Sequence, residues 1–134
     1  MNIELTDKEI RRLLDLVYVG NWILNSTRGT DRFGDYDRVQ EKLFALCPRS
    51  MSSLIQVWQG RVYPSRAYEE GGIHDAIADY EDAVFFDILA EELSRRDMSA
   101  EGADQDDIRD LSLRMNEYMW EFERNGVENL TIEV

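Results

Sequence analysis

The one histidine of the chain, His74, sits in "GGIHDAIADYEDAVFF", residues 71–86, followed within eight positions by Asp75, Asp79, Glu81 and Asp82. Imidazole beside carboxylates is ligand chemistry for zinc, manganese or iron. Glu70 lies one helical turn before His74, but Gly71 and Gly72 separate them and argue against a helix carrying both. A single histidine also excludes a multi-histidine centre within one chain, such as the His-Asp centres of metal-dependent phosphohydrolases. No metal or other cofactor is assigned, and these carboxylates are expected to cap a helix and face water.

Other chemistry has thinner support. A Ser/Cys–His pair through His74 lacks a nucleophile in a recognisable elbow, and Cys47 reads as a small core residue. "EGG" and "WQG" carry neither a P-loop lysine nor dinucleotide spacing. Glu91, Glu92 and Asp97, followed by Asp106, Asp107 and Asp110, echo the paired acidic helices of all-helical nucleotide pyrophosphohydrolases, though the spacings differ. No catalytic residue is assigned. Glu92 and Arg96, four apart, predict either an ion pair on the apolar side of a helix over 80–97 or two long side chains flanking that side with their heads in water. Trp58 and Tyr63, with Arg61 and Arg66 nearby, are residue types that anchor interfaces, although large aromatics also complete small cores.

Periodicity predicts the elements that hold these residues. "LTDKEI" reads as a capping box, Thr6 with Glu9, with Leu5 and Ile10 as a hydrophobic staple. It opens a helix that runs to 25–29, where Gly20 suggests close approach of another helix. A second helix is expected over 35–47, with Tyr36, Val39, Leu43, Leu46 and Cys47 on its inner side and Pro48 ending it. Residues 51–59 read as a short helix, and "VWQGRVY" as irregular chain, a short strand or a turn. Ile73, Ile77, Tyr80 and Val84 share one helical direction, and Phe85, Ile88, Leu89 and Leu93 another roughly 100° around. That conflict predicts a helix over 73–78, a break near Asp79, and a helix over 80–97 capped by Asp79, with Glu81 and Asp82 in its first turn. A loop over 99–107 ending in the N-cap Asp104 precedes a last helix over 105–124, buried through Ile108, Leu111, Met115, Tyr118, Met119 and Phe122. "RNG" stops it, and "VENLTIEV" could pair as a strand with "NIEL".

Charge is uneven along the chain. Residues 1–68 carry eight acids and ten bases, whereas 69–107 carry fourteen acids and two arginines. Such a field repels nucleic acid and anionic membranes and attracts basic partners, although acidic surfaces also serve solubility alone. Thirteen of the fifteen basic residues are arginine, which suits forked pairing with carboxylates. One cysteine, no long apolar run, and a start lacking the basic and apolar regions of an export signal lead to a cytoplasmic assignment.

"YEDAVFFDILAEELSRRD", then "EFERNGVENL", with "LTDKEIRRLLDLVYVGNWIL" at the N-terminus, resembles a family of small uncharacterised bacterial all-helical proteins. The resemblance covers most of the chain apart from 48–72, and it implies a small helical fold but no activity and no functional residues.

The patterns together predict a mainly α fold: a single compact domain over 1–134, of four to five helices, with at most a minor β pairing of the chain ends. The favoured function is a non-enzymatic interaction or regulatory module whose 69–107 face docks a basic protein partner. His74, Asp75, Asp79, Asp82, Glu92, Arg96, Trp58 and Tyr63 are the interaction candidates. Homo-oligomerisation is compatible with this, and direct nucleic-acid or membrane binding is not expected. The alternatives are a small metal-dependent hydrolase of nucleotides or phosphoesters and an acidic nucleic-acid mimic.

Overall fold

Local hydrogen bonding starts the fold as the sequence predicts. In the computed structural model, which describes residues 1–133, the Thr6 hydroxyl accepts from Glu9 N–H at 3.2 Å, and Glu9 Oε1 accepts from Thr6 N–H at 3.0 Å. This box opens α1 (Asp7–Asn25), which buries Leu14, Tyr18, Asn21 and Asn25 along one face. Among the described residues no atom of another element lies within 4 Å of a Cβ built on Gly20, so the close helix approach expected there is not found among them.

Helix α2 (Gly34–Phe44) departs from expectation in its face and its end. Tyr36, Val39 and Leu46 are exposed, whereas Leu43 and Cys47 pack against the core as expected, beside the fully buried Phe44. The inward side carries Asp37, Gln40 and Glu41 because buried amides on α1 and a strand edge need polar partners there. Tight turns through Leu46 and Cys47 end the helix before Pro48, and Cys47 Sγ donates to Met51 C=O at 3.2 Å. A 3₁₀ turn (Arg49–Leu54) then leads into β1 (Ile55–Trp58) and β2 (Arg61–Pro64), an antiparallel hairpin in the register Ile55↔Pro64 to Trp58↔Arg61. Its two-residue turn puts both Gln59 (φ 50°) and Gly60 (φ 75°) in left-handed geometry, the type I′ arrangement that matches strand twist. The expected pairing of the chain ends is absent among the described residues, since neither 2–5 nor 127–133 forms a strand.

Ser65 caps the short α3 (Arg66–Tyr68), and a π-type turn (Glu69–Ile73) breaks at Gly72, whose φ of 111° suits only glycine. From His74 onward α4 (His74–Glu101) is continuous. The break expected near Asp79 therefore lies seven residues earlier, and Asp79 caps nothing. Asp107, not Asp104, caps α5 (Ile108–Asn125) through Asp110 N–H, and Gly126 (φ 55°) ends it. Ile108, placed in the buried stripe by periodicity, is exposed at the first position of the helix.

The fold is mainly α, with these five helices and one hairpin among the described residues. The residues fall into two compact units, Met1–Ile77 and Ala78–Val134. In the first, Leu14, Tyr18, Phe44, Tyr68 and Ile77 form the core, with Tyr68 packed edge-on against Tyr18 (5.1 Å) and Phe44 (5.2 Å). In the second, α4 buries Ala90, Ser94 and Met98 at four-residue spacing, α5 buries Leu111 and Phe122, and Phe86 meets Phe122 at 5.3 Å between ring centres. Ile73, in the turn before α4, and Ile77 serve the first unit, whereas Ala90, Ser94 and Met98, which the second unit buries, lie on a different side of α4 from the predicted Phe85 and Ile88 stripe. Phe85 and Ile88 are exposed, because small Ala90 and Ser94 occupy the inward positions. No helix among the described residues is long and apolar enough to cross a membrane.

With open space beside it, Gly20→Ala should raise the unfolding free energy by about 0.5–1 kcal/mol in urea denaturation. Gly72→Ala should lower it by about 1–3 kcal/mol through forced left-handed backbone. Ser94 Oγ is buried with no partner among the described residues, so Ser94→Ala should be neutral or stabilising by about 1 kcal/mol. Loss of stability in Ser94→Ala would mean that the hydroxyl has a partner after all.

Candidate functional site

Two asparagines one turn apart on α1 organise a cleft in the first unit. Asn25 is fully buried and works like a piece of backbone: its Oδ1 accepts from Phe33 N–H (2.7 Å), and its Nδ2 donates to Phe33 C=O (3.1 Å) and to Asn21 Oδ1 (2.7 Å). Asn21 passes the chain on, donating to Asp37 Oδ1 (3.0 Å) and Gln40 Oε1 (3.1 Å). Arg32 closes the arrangement with a forked pair to Asp37 at 2.7 and 2.8 Å. That pair, helped by Asn21, holds the Asp37 carboxyl below the usual carboxylate range against the opposing effect of burial.

On the hairpin side, Glu41 accepts from Val62 N–H (3.1 Å) and Arg61 (3.3 Å), so α2 covers the outer edge of β2. Strand alternation then places Gln56, Trp58, Arg61 and Tyr63 together on one face of the hairpin, with Trp58 directly opposite Arg61. Trp58 is 59% exposed and Tyr63 41%, so both interaction candidates stand at the surface rather than completing the core. Between α1, α2 and β2 lie two adjoining clefts of about 280 and 290 Å³ that share Arg32, Gln40 and Tyr63. Tyr18, Trp22 and Glu69 line the first; Asp37, Glu41 and Arg61 line the second.

His74 stands behind this cleft. Its Nε2 lies 2.7 Å from the Tyr18 hydroxyl, and its ring meets Tyr18 and Trp22 edge-on at 5.6 and 6.0 Å. Burial, with the charge of Glu69 adding to it, pushes the Tyr18 phenol up to about 12. Tyr68 is raised as well, first by burial and then by its donation to Asp15 (2.8 Å), while Arg11 pairs with Asp15 and lies over the Tyr68 ring. The structure does not gather His74 with the acids that follow it. Asp75, Asp79 and Asp82 are exposed, Glu70 is held by Arg66 at 2.7 Å, and no metal-holding group of three or more His, Cys, Asp or Glu occurs among the described residues.

In the second unit, of the two readings of Glu92 and Arg96, the ion pair does not form, and both side chains are exposed. Arg96 turns to Asp97 (2.9 Å) and the Tyr118 hydroxyl (3.3 Å), Tyr118 donates to Asp97, and the i,i+4 pair forms one position earlier between Glu91 and Arg95 (3.2 Å). Tyr118 and then Arg96 keep the Asp97 carboxyl below its ordinary range. Other members of the two acidic helix segments are also tied locally: Asp107 caps α5 and Asp110 binds Arg114 at 2.8 Å.

Asn21, Asn25, Asp37, Gln40 and Glu41 were not among the residues the sequence singled out. A signal existed, because Asn21 and Asn25 extend the Leu14–Tyr18 stripe at buried spacing, where a polar residue demands partners. Comparison of the chain with protein-family models, curated proteins and solved structures returned no match.

Asn25→Ala strips Phe33 N–H and C=O of their partner and should cost about 2–3 kcal/mol, with amide exchange accelerated across 26–33. Unchanged exchange there would show that the loop is held by Arg28 and Arg32 alone.

Proposed function

We propose that the protein is a non-enzymatic interaction module, and that the exposed acidic stretch of α4 before its buried second half docks a basic protein partner. One observation carries this reading. Asp75, Asp79, Glu81, Asp82, Asp87 and Glu92 are all exposed and none takes part in an ion pair among the described residues, while arginines are committed to carboxylates elsewhere. Tyr80 (61% exposed), Phe85 and Ile88 project from the same stretch. Unpaired acids steer a cationic surface over a range of about 8 Å at physiological salt. Large apolar side chains among them supply the anchors that charge alone does not. The acidic candidates Asp79, Asp82 and Glu92 act on this stretch; Asp75 belongs to the first unit, Trp58 and Tyr63 to the hairpin, His74 stands behind the cleft, and Arg96 is taken up by Asp97.

The test places a photo-crosslinking amino acid at Tyr80, with Leu16 on α1 as an exposed control position. In the cells that make the protein, Tyr80 should yield a discrete adduct to a basic protein, absent from Leu16. Asp79→Lys with Asp82→Lys should abolish it while shifting stability by no more than about 0.5 kcal/mol, because neither side chain has a folded partner. The same adducts at both positions, or adducts indifferent to charge reversal, would overturn the docking reading.

A further inference from the structure

We propose that the cleft of about 280 Å³ between α1, α2 and β2 binds a small organic ammonium cation, with Tyr18, Trp22 and Tyr63 as its aromatic walls and Glu69 as its counter-charge. This goes beyond the docking reading and concerns other residues, so either can fail without the other.

The charge of the lining selects the sign of the ligand. Arg32 is the only cation in this cleft, and its forked pair with Asp37 neutralises it. The Glu69 carboxylate has no hydrogen bond or ion pair among the described residues, and its field is felt at the Tyr18 hydroxyl. One net negative charge therefore remains. A lone carboxylate is too few ligands for a metal ion, which needs several hard or borderline donors. Tyr18, Trp22 and Tyr63 form the aromatic part of the wall, beside Pro64 and the neutral polar Asn21, Ser26 and Gln40, and aromatic rings attract cations that are large, weakly hydrated and carbon-clad, as quaternary ammonium groups are. The volume suits one such headgroup rather than a drug-sized molecule.

The walls are also fixed before any ligand arrives. Trp22 and Tyr18 are backed by the His74 ring, and Tyr18 is held by the His74 nitrogen. Gln40 is positioned by Asn21, whose own amide is locked by Asn25. A rigid wall loses little entropy on binding, which is how a small site gains useful affinity. This gives the solitary histidine a positioning role: it sets the angle of two aromatic rings without touching the ligand.

The experiment uses the whole chain labelled with 5-fluorotryptophan, which reports Trp22, Trp58 and Trp120 as separate fluorine resonances assigned by Trp→Phe variants. Choline, the trimethyl-lysine amide and the neutral choline isostere 3,3-dimethylbutanol are titrated in parallel. The Trp22 resonance should shift saturably with a Kd below about 10 mM for at least one cation, and the neutral isostere should bind at least about tenfold more weakly. Whichever cation binds more tightly identifies a free headgroup or a modified lysine side chain as the source. Glu69→Gln and Tyr63→Ala, both at exposed positions, should each weaken binding about fivefold or more while circular dichroism stays unchanged. No saturable shift at Trp22, equal binding of the neutral isostere, or indifference to Glu69→Gln would each overturn the proposal.

Discussion

Tyr68 is 1% exposed, and a phenol buried to that extent must exchange the water on its hydroxyl for a partner within the protein. Asp15 supplies the acceptor, and Asp15 is itself held by Arg11, whose guanidinium also covers the Tyr68 ring. The ring packs between Tyr18 of α1 and Phe44 at the end of α2, and Ser65 caps the Tyr68 amide just after the hairpin. Three elements, α1, α2 and α3, thus meet at one side chain. Burial of such a ring stabilises by about 1.5–3 kcal/mol, and an orphaned hydroxyl would cost about 1–3. The exposed ion pairs of the unit are worth less than either, at about 0–1 kcal/mol. The positions of Tyr18, Trp22 and His74, and so the cleft they form, follow from where Tyr68 fixes α1 and the turn before α4.

How much of this was legible depends on whether the deciding contact is local. The capping box at Thr6 and Glu9 involves residues three apart and was readable, as was the stop at Gly126. The inner face of α2 was not, because apolar periodicity selects Tyr36, Val39 and Leu46 while long-range bonds to Asn21 and Val62 turn Asp37, Gln40 and Glu41 inward. The hairpin turn escaped for a related reason: Gln59 takes the left-handed position usually given to asparagine or aspartate, so the flanking strands lacked their strongest signal.

The two apolar directions read in α4 are used only in part, since Tyr80 of the first and Phe85 and Ile88 of the second are exposed. Two stripes about a quarter-turn apart do require two different neighbours, but a helix need not break to meet them. Ile77 enters one core and Ala90, Ser94 and Met98 another, with the backbone continuous between them. The break sits where the sequence offers Gly71 and Gly72, since a left-handed residue interrupts a helix at far lower strain in glycine than in aspartate. His74 was legible as the residue to follow, whereas its partner was not, because Tyr18 lies 56 positions earlier in the chain.

Arginine usage links the fold to its surface. Ion pairs among the described residues are made by arginine, and they tie α1, the loop before α2, the hairpin and the α4–α5 turn. Cations are thereby used where backbone geometry must be fixed, and the excess of acid collects where it is not, along α4 from Asp75 to Glu92. Like charges at i,i+4, as in Asp75 and Asp79, destabilise a helix by about 0.2–0.5 kcal/mol for each pair. The helix tolerates this because its two ends are anchored in cores, by Ile77 on one side and by Ala90, Ser94 and Met98 on the other. Repulsion left uncompensated in the folded chain is released when a positive surface approaches, so the same residues that cost folding stability would add to the affinity of a cationic partner.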